Sequence, residues 1–158
     1  MAHQFHDHNH DKCISGAVAM ANAYCALHRL QLTPVRRRVL EILLQQHRAM
    51  GAYDVLEILR EEKLGSQPPV AYRALEFLVT HGFAHRIERL NAFVACSHPG
   101  RAHSPAFLIC NTCKTVAETE ADLRDSGIDE AARKAQFTIE RAVVEVEGLC
   151  PRCTETPE

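Results

Sequence analysis

The sequence predicts an α+β protein of two modules: an N-terminal winged helix-turn-helix, followed by a small α/β domain built around a four-cysteine zinc site. Three observations predict it. Amphipathic helical periodicity fills the first half and gives way, at Gly82, to two short apolar runs flanking Leu90-Asn91, a hairpin signal. A connector rich in Ser, Pro and Gly follows over residues 97–105. Beyond it, Cys110/Cys113 and Cys150/Cys153 form two C-x2-C pairs, each following a strand-like run. The boundaries so drawn are a histidine-rich leader at 1–12, a winged-helix domain at 13–96, a hinge at 97–105 and a second domain at 106–158.

A chain of 158 residues accommodates one medium domain or two small ones. With 46% hydrophobic residues, no stretch approaches the roughly 20 apolar residues of a membrane span, so no membrane partner is expected. His3, His6, His8 and His10 mark a leader that reads as a disordered tail, with weak metal capture as its alternative; lacking an apolar signal core, it suggests a cytoplasmic protein. Seven cysteines, in a reducing compartment, favour metal or redox chemistry over a disulfide framework. The formal charge of −2 divides into +2 over residues 1–96 and −4 over 97–158, which says only which half would face a nucleic acid.

Taken in order, Ser15 is placed to cap a helix running to about Leu30, with Val18, Tyr24 and Leu27 apolar. Cys13 and Cys25 have no close ligand partner there and read as structural or incidental. Thr33-Pro34 starts the next helix, which turns Val35, Val39, Ile42 and Leu43 inward and ends near Gln46. Arg36, Arg37 and Arg38 crowd its first turn, against the helix dipole; either a solvated basic face or phosphate contact accounts for them. A third helix spans about Tyr53 to Leu64. Residues 65–69 form a turn, and Pro69 opens a fourth helix from Val70 to about His81, with Leu75, Leu78 and Val79 inward and Tyr72, Arg73 and Glu76 on other faces. Gly82 occupies the position where a helix ends in a left-handed residue. Three helices, a turn before the last and a hairpin over 83–96 make the winged pattern, in which the helix from Val70 would enter the major groove.

In the second module strands are expected at Ala106–Cys110, near Thr115–Ala117 and over Phe137–Glu147, with a helix from about Glu120 to Lys134 interrupted by Ser126-Gly127. A module of about 50 residues holds together poorly without a staple or a partner.

Two constellations supply metal chemistry. Cys110, Cys113, Cys150 and Cys153 read as C-x2-C-x36-C-x2-C, and four thiolates satisfy tetrahedral zinc. A thiol–disulfide couple is the alternative, but neither pair opens a helix in a βαβ unit as that chemistry requires. His85, Cys96, His103 and Glu118 lie before, inside and after the connector and offer two imidazoles, a thiolate and a carboxylate, a set that suits zinc over harder ions. His98 is an alternative to His103, and unrelated surface histidines with a buried cysteine are the plain reading.

The linked motifs L-T-P-V-R-R-R-V-L-E-I-L, G-A-Y-D-V-L-E-I-L-R, P-P-V-A-Y-R-A-L-E-F-L, G-F-A-H-R-I-E, N-A-F-V-A-C and A-F-L-I-C-N-T-C resemble the ferric uptake regulator family, nearest to its zinc uptake regulator branch. The resemblance covers nearly the whole chain after the leader. It implies a homodimeric, zinc-dependent repressor of zinc-acquisition genes, not an enzyme, whose C-terminal domain dimerises and whose partner is double-stranded operator DNA. It implies two zinc ions per chain, a structural one on Cys110, Cys113, Cys150 and Cys153 and a sensing one on His85, Cys96, His103 and Glu118. Tyr53 and Arg73 match the family's DNA-contacting residues; Tyr72 beside them and Arg36 are further DNA candidates. Glu57 and Arg60 match positions that pair between two dimers sharing one operator. Val70 stands where the family often has Thr, so no hydroxyl is offered to phosphate there.

The rival readings are an iron- or peroxide-sensing member of the same family, a zinc enzyme and a structural zinc module that binds protein. The thiolate in the mixed set argues against the first. The absence of H-E-x-x-H or H-x-E…P-C-x-x-C argues against the second.

Overall fold

The computed structural model describes residues 10–46, 48–101, 103–123 and 126–155, with the side chains of His10 and Asp11 left aside. His3, His6 and His8 of the leader lie outside the described residues. Four helices come first: α1 (His10–Leu27), α2 (Pro34–Gln45), α3 (Ala52–Glu61) and α4 (Pro68–Thr80). The hairpin β1 (Ala84–Ile87) and β2 (Ala92–Ala95) follows, then β3 (Pro105–Cys110), β4 (Val116–Glu120), α5 (Gly127–Lys134), β5 (Val144–Gly148) and the short α6 (Pro151–Glu155). No helix among the described residues is long and apolar enough to cross a membrane.

Local chemistry sets the helix ends. Thr33 Oγ1 accepts the Arg36 N–H at 3.4 Å, and Pro34 fills the first position of α2. Asp54 reaches back to accept the Gly51 N–H at 3.1 Å and closes the start of α3. Gly82, at φ +76°, ends α4: its N–H donates to Val79 O at 3.2 Å and the Phe83 N–H to Leu78 O at 2.8 Å. This left-handed stop turns the chain so that Phe83 enters the core and the hairpin begins. The core gathers Val39, Leu40, Ile42 and Leu43 from α2, Val55, Leu56 and Leu59 from α3, and Leu75 and Leu78 from α4.

α1 begins at His10, ahead of the expected cap at Ser15, whose hydroxyl instead donates to Lys12 O at 3.1 Å within the helix. Its buried stripe is Val18, Ala21 and Cys25, at helical spacing, while Leu27 near the terminus is 79% exposed. Burial raises the Cys25 thiol, as suits a packing residue. The arginines of α2 are all engaged. Arg37 pairs with Glu41 at 3.1 Å; Arg38 forks onto both oxygens of Glu62 at 2.7 Å each, tying α2 to the end of α3. The Arg36 guanidinium lies 3.8 Å from the centroid of the Phe77 ring and donates to Gln31 O at 2.7 Å.

The hairpin pairs antiparallel from Ala84↔Ala95 to Ile87↔Ala92, with Asn91 at φ +45° in the turn. The loop between α2 and α3 joins it: Met50 and Phe93 exchange backbone hydrogen bonds of 2.9 and 2.8 Å. The second sheet has strand order β4-β3-β5, antiparallel on one side and parallel on the other. The helix expected from Glu120 starts only at Gly127, because β4 continues through Glu120 and Ser126 Oγ caps the later start by accepting the Asp129 N–H at 3.3 Å. The strand expected over Phe137–Glu147 shortens to β5. The alternation in that run is real, but β3 pairs only with 144–148, so residues 137–143 have no ladder to join.

The two halves meet along one face of the second sheet. Ile87 and Val94 of the hairpin pack on Phe107 and Ile109 of β3, with Ala49, Leu90 and Val116 around them. Arg48 and Thr115 add an antiparallel bridge.

Candidate metal centres

Strand register places the mixed ligand set. Glu118 lies opposite Phe107 in the β3–β4 pair, on the face turned toward the hairpin. His85 is on β1, Cys96 directly follows β2, and His103 is in the connector just before β3. One ligand atom from each comes within 4.8 Å of all the others. His103 Nε2 is 2.7 Å and His85 Nε2 3.3 Å from Glu118 Oε1; Cys96 Sγ is 3.6 Å from His103 Nε2 and 3.9 Å from Glu118 Oε1. The His85 contact is short but too poorly aligned for a hydrogen bond, so this buried nitrogen aims at the cluster without a hydrogen-bond partner. An orphaned imidazole nitrogen beside a buried carboxylate and thiol is a donor set that could hold a metal ion.

The surrounding backbone fixes these side chains. The Ser97 N–H donates to Glu118 Oε2 at 2.7 Å, and the His98 N–H to Cys96 Sγ at 3.4 Å. Arg101 O lies 2.7 Å from His103 Nδ1, which leaves Nε2 as the inward atom. Burial pushes the Cys96 thiol up to about 12, and the Glu118 charge adds to it. Burial would also raise Glu118, but His85, the Ser97 N–H and His103 outweigh it and bring the carboxyl down to about 2. Burial lowers His103, yet Arg101 O and Glu118 overcome that and leave it raised. A buried anion, a thiol resistant to ionisation and two imidazoles form a site that a cation would stabilise. His98 is not in the set; its Nδ1 is buried without a hydrogen-bond partner beside His103.

The second centre is at the end of the same sheet. Cys110 ends β3, Cys113 lies in the turn after it, Cys150 follows β5 and Cys153 is in α6; their sulfurs lie within 4.8 Å of one another. Cys113 Sγ and Cys150 Sγ are 3.7 Å apart, close to the ~3.8 Å edge of a tetrahedron with Zn–S bonds of about 2.3 Å. The Cys150 N–H donates to Cys110 Sγ at 3.4 Å. Backbone N–H groups of Cys113 and Cys150 pull the Cys110 thiol down; the Thr115 hydroxyl and N–H do so for Cys113. Cys153, beside Cys150 and Cys113, is pushed up. Four thiols cannot all ionise this close together without a cation, so this is a four-cysteine metal-binding site.

The other residues singled out from sequence are on the helices. Tyr53 on α3 is 62% exposed, and Tyr72 on α4 is 46% exposed beside the exposed Arg73. Glu57 and Arg60 are exposed on α3, with Arg60 Nε donating to Ser66 O at 2.9 Å in the turn before α4. Arg36 is half-buried against Phe77. Sequence reasoning missed Thr115 beside Cys113 and the backbone donors of Ser97 and His98. Backbone groups carry no residue signature, and only the distance of Thr115 from a knuckle could have drawn attention to it.

The ferric uptake regulator family profile matches residues 28–147. The zinc uptake regulation protein of Escherichia coli (strain K12) is 37% identical over 139 residues, spanning 87% of this chain and 81% of its own. A solved zinc uptake regulator complexed with zinc and DNA superposes with a TM-score of 0.83 at 36% identity, covering 90% of this chain and 95% of its own. Holo XcZur gives 0.77 at 38% identity over 90% of this chain and 99% of its own; apo XcZur, at the same identity, gives 0.51 over 89% and 97%. Since identity and coverage barely differ between those two, the arrangement of this chain is closer to that of holo XcZur than to that of apo XcZur.

Proposed function

This chain belongs to the ferric uptake regulator family, in its zinc uptake regulator branch, and we propose that it holds operator DNA when His85, Cys96, His103 and Glu118 share a second zinc. As a member of that branch it is a zinc-responsive transcriptional repressor and not an enzyme. The observation that carries the proposal is the distribution of the mixed set. His85 and Cys96 come from the hairpin, His103 from the connector and Glu118 from the second sheet, yet their ligand atoms lie within 4.8 Å of one another.

Residues 13–96 then read DNA, residues 97–105 act as the hinge and residues 106–158 pair two subunits. When the hinge opens, His85 and Cys96 leave with the hairpin while Glu118 stays on β4, so an open hinge cannot satisfy one ion. When bound, zinc would supply bonds that replace the protons shared among these side chains. Linkage then requires DNA and zinc to strengthen each other by one factor; a coupling of about 3 kcal/mol gives roughly 150-fold.

On the DNA side, the exposed row Tyr72-Arg73 of α4 is placed for the major groove, with Tyr53 of α3 alongside. Arg36 adds a phosphate contact through the N–H groups that Gln31 leaves over. Glu57 and Arg60 are placed for pairing between two dimers on one operator. Homodimerisation fits the apolar side chains exposed on the second domain: Leu108 and Val146 on the sheet face away from the hairpin, with Ile128, Phe137 and Leu149.

The test is operator binding by Cys96→Ser with the four-cysteine zinc in place. The expected result is loss of the zinc response; full zinc-dependent affinity in that variant refutes the regulatory site.

A further inference from the structure

The hairpin is gripped at both ends by one row of residues across the second sheet. Phe107 on β3 lies opposite Glu118 on β4 and opposite Glu145 on β5, so the two carboxylates flank it on one face. Glu118 reaches the base of the hairpin, at His85 and Cys96. Glu145 reaches the tip, where its Oε1 accepts the Glu88 N–H at 2.7 Å and its Oε2 the Arg89 N–H at 3.0 Å. Two residues along β5, Glu147 pairs with the Arg89 side chain at 2.9 Å. Between base and tip, Ile87 and Val94 rest on Phe107 and Ile109.

We propose that Glu145 is a positioning residue: by holding the turn at the tip of the wing, it keeps the hinge closed before the regulatory ion arrives and so sets the zinc level at which DNA is bound. This rests on the regulatory-site reading above. The physical argument concerns which contacts depend on metal. The grip at the base brings a carboxylate, a thiol and two imidazoles together and gains from a cation. The grip at the tip is a carboxylate on two adjacent backbone N–H groups, a charge-assisted pair complete without any ion. A ligand that binds only the closed arrangement has its apparent affinity scaled by the fraction of molecules already closed. Freeing the tip lowers that fraction and leaves the four metal ligands themselves unchanged.

The test uses the full chain with its four-cysteine zinc and no zinc at the mixed set. Amide hydrogen exchange at Glu88 and Arg89 is expected to run at least about tenfold slower than in an open turn, and slower than in Glu145→Ala. In the same variant, zinc titration of operator binding should move to about tenfold higher free zinc while reaching the same plateau. Zinc uptake by the mixed set, read by chelator competition without DNA, should weaken by the same factor. Glu145→Gln keeps the shape but turns an amide donor toward one N–H; it should shift the titration in the same direction and carries the test should alanine disturb the sheet. Open-turn exchange rates in the wild-type protein, or an unmoved midpoint in both variants, would overturn the proposal. A zinc response surviving in Cys96→Ser would instead remove the regulatory site and leave slow exchange at these two amides standing, so the two failures are separable.

Discussion

Oε1 of Glu118, on β4, lies 2.7 Å from Nε2 of His103, in the segment that joins the two halves. Each is held from behind by the backbone, Glu118 by the Ser97 N–H and His103 by Arg101 O. Backbone contacts of this kind fix the orientation of both side chains, which lowers the ordering cost of binding an ion. Replacing either, as Glu118→Gln or His103→Ala, should weaken zinc at this site by at least the ~10–100-fold that loss of a supporting hydrogen bond costs elsewhere. Chelator competition with the four-cysteine zinc retained measures it.

The four-cysteine site joins the ends of β3 and β5, the parallel pair of a sheet only three strands wide. Cys150→Ser should therefore lose that zinc and the second domain with it, because so small a sheet has little else to close it. Zinc content should fall by at least one ion per chain, and size-exclusion chromatography should show the subunits separating.

Arg73 is exposed on α4 beside Tyr72. Arg73→Ala measured over a set of operator variants gives one of two outcomes. Uniform weakening with a shallower salt dependence identifies a phosphate contact; relaxed preference at one position, costing about 1–3 kcal/mol, identifies a base contact. Arg36→Ala should differ from it by lowering thermal stability without DNA as well, since that guanidinium also covers Phe77.

Gly82 holds φ +76°, and a Cβ placed there meets nothing within 4 Å. Gly82→Ala thus isolates the backbone cost of the left-handed stop, about 1–2 kcal/mol. Chemical denaturation of the full chain should register it, with the zinc content unchanged.

The parts of the fold read correctly from sequence are those with a local chemical cause. Thr33-Pro34, Gly82 and the paired cysteines each announce themselves through one residue's geometry or bonding. A pattern that needs a distant partner to become structure is not legible in the same way. Phe137–Val143 alternates as a strand should, but β3 is too short to pair with it. Leu27 is as apolar as Val18, but it lies on the opposite side of α1 from the buried stripe of Val18, Ala21 and Cys25. Nor do the three arginines of α2 announce their partners in sequence: Arg37 pairs with Glu41 and Arg38 with Glu62, while Arg36 covers Phe77 and donates to Gln31 O. The mixed ligand set stood out by residue type and by its position around the connector. The grip of Glu145 on the wing tip could not, because its partners are main-chain N–H groups identical in every residue but proline.

The three-stranded sheet sorts its substitutions by parity. In β3, Phe107 and Ile109 point toward the wing, while Leu108 points to the opposite, exposed face, and in β5 Glu145 and Glu147 alternate with Val146 in the same way. Neighbouring positions in a single strand thus meet different surroundings, one set the packed wing and the other the open side of the sheet. A one-residue shift of β3 would exchange the two sets at a stroke, turning Phe107 and Ile109 out to solvent and Leu108 in against the wing.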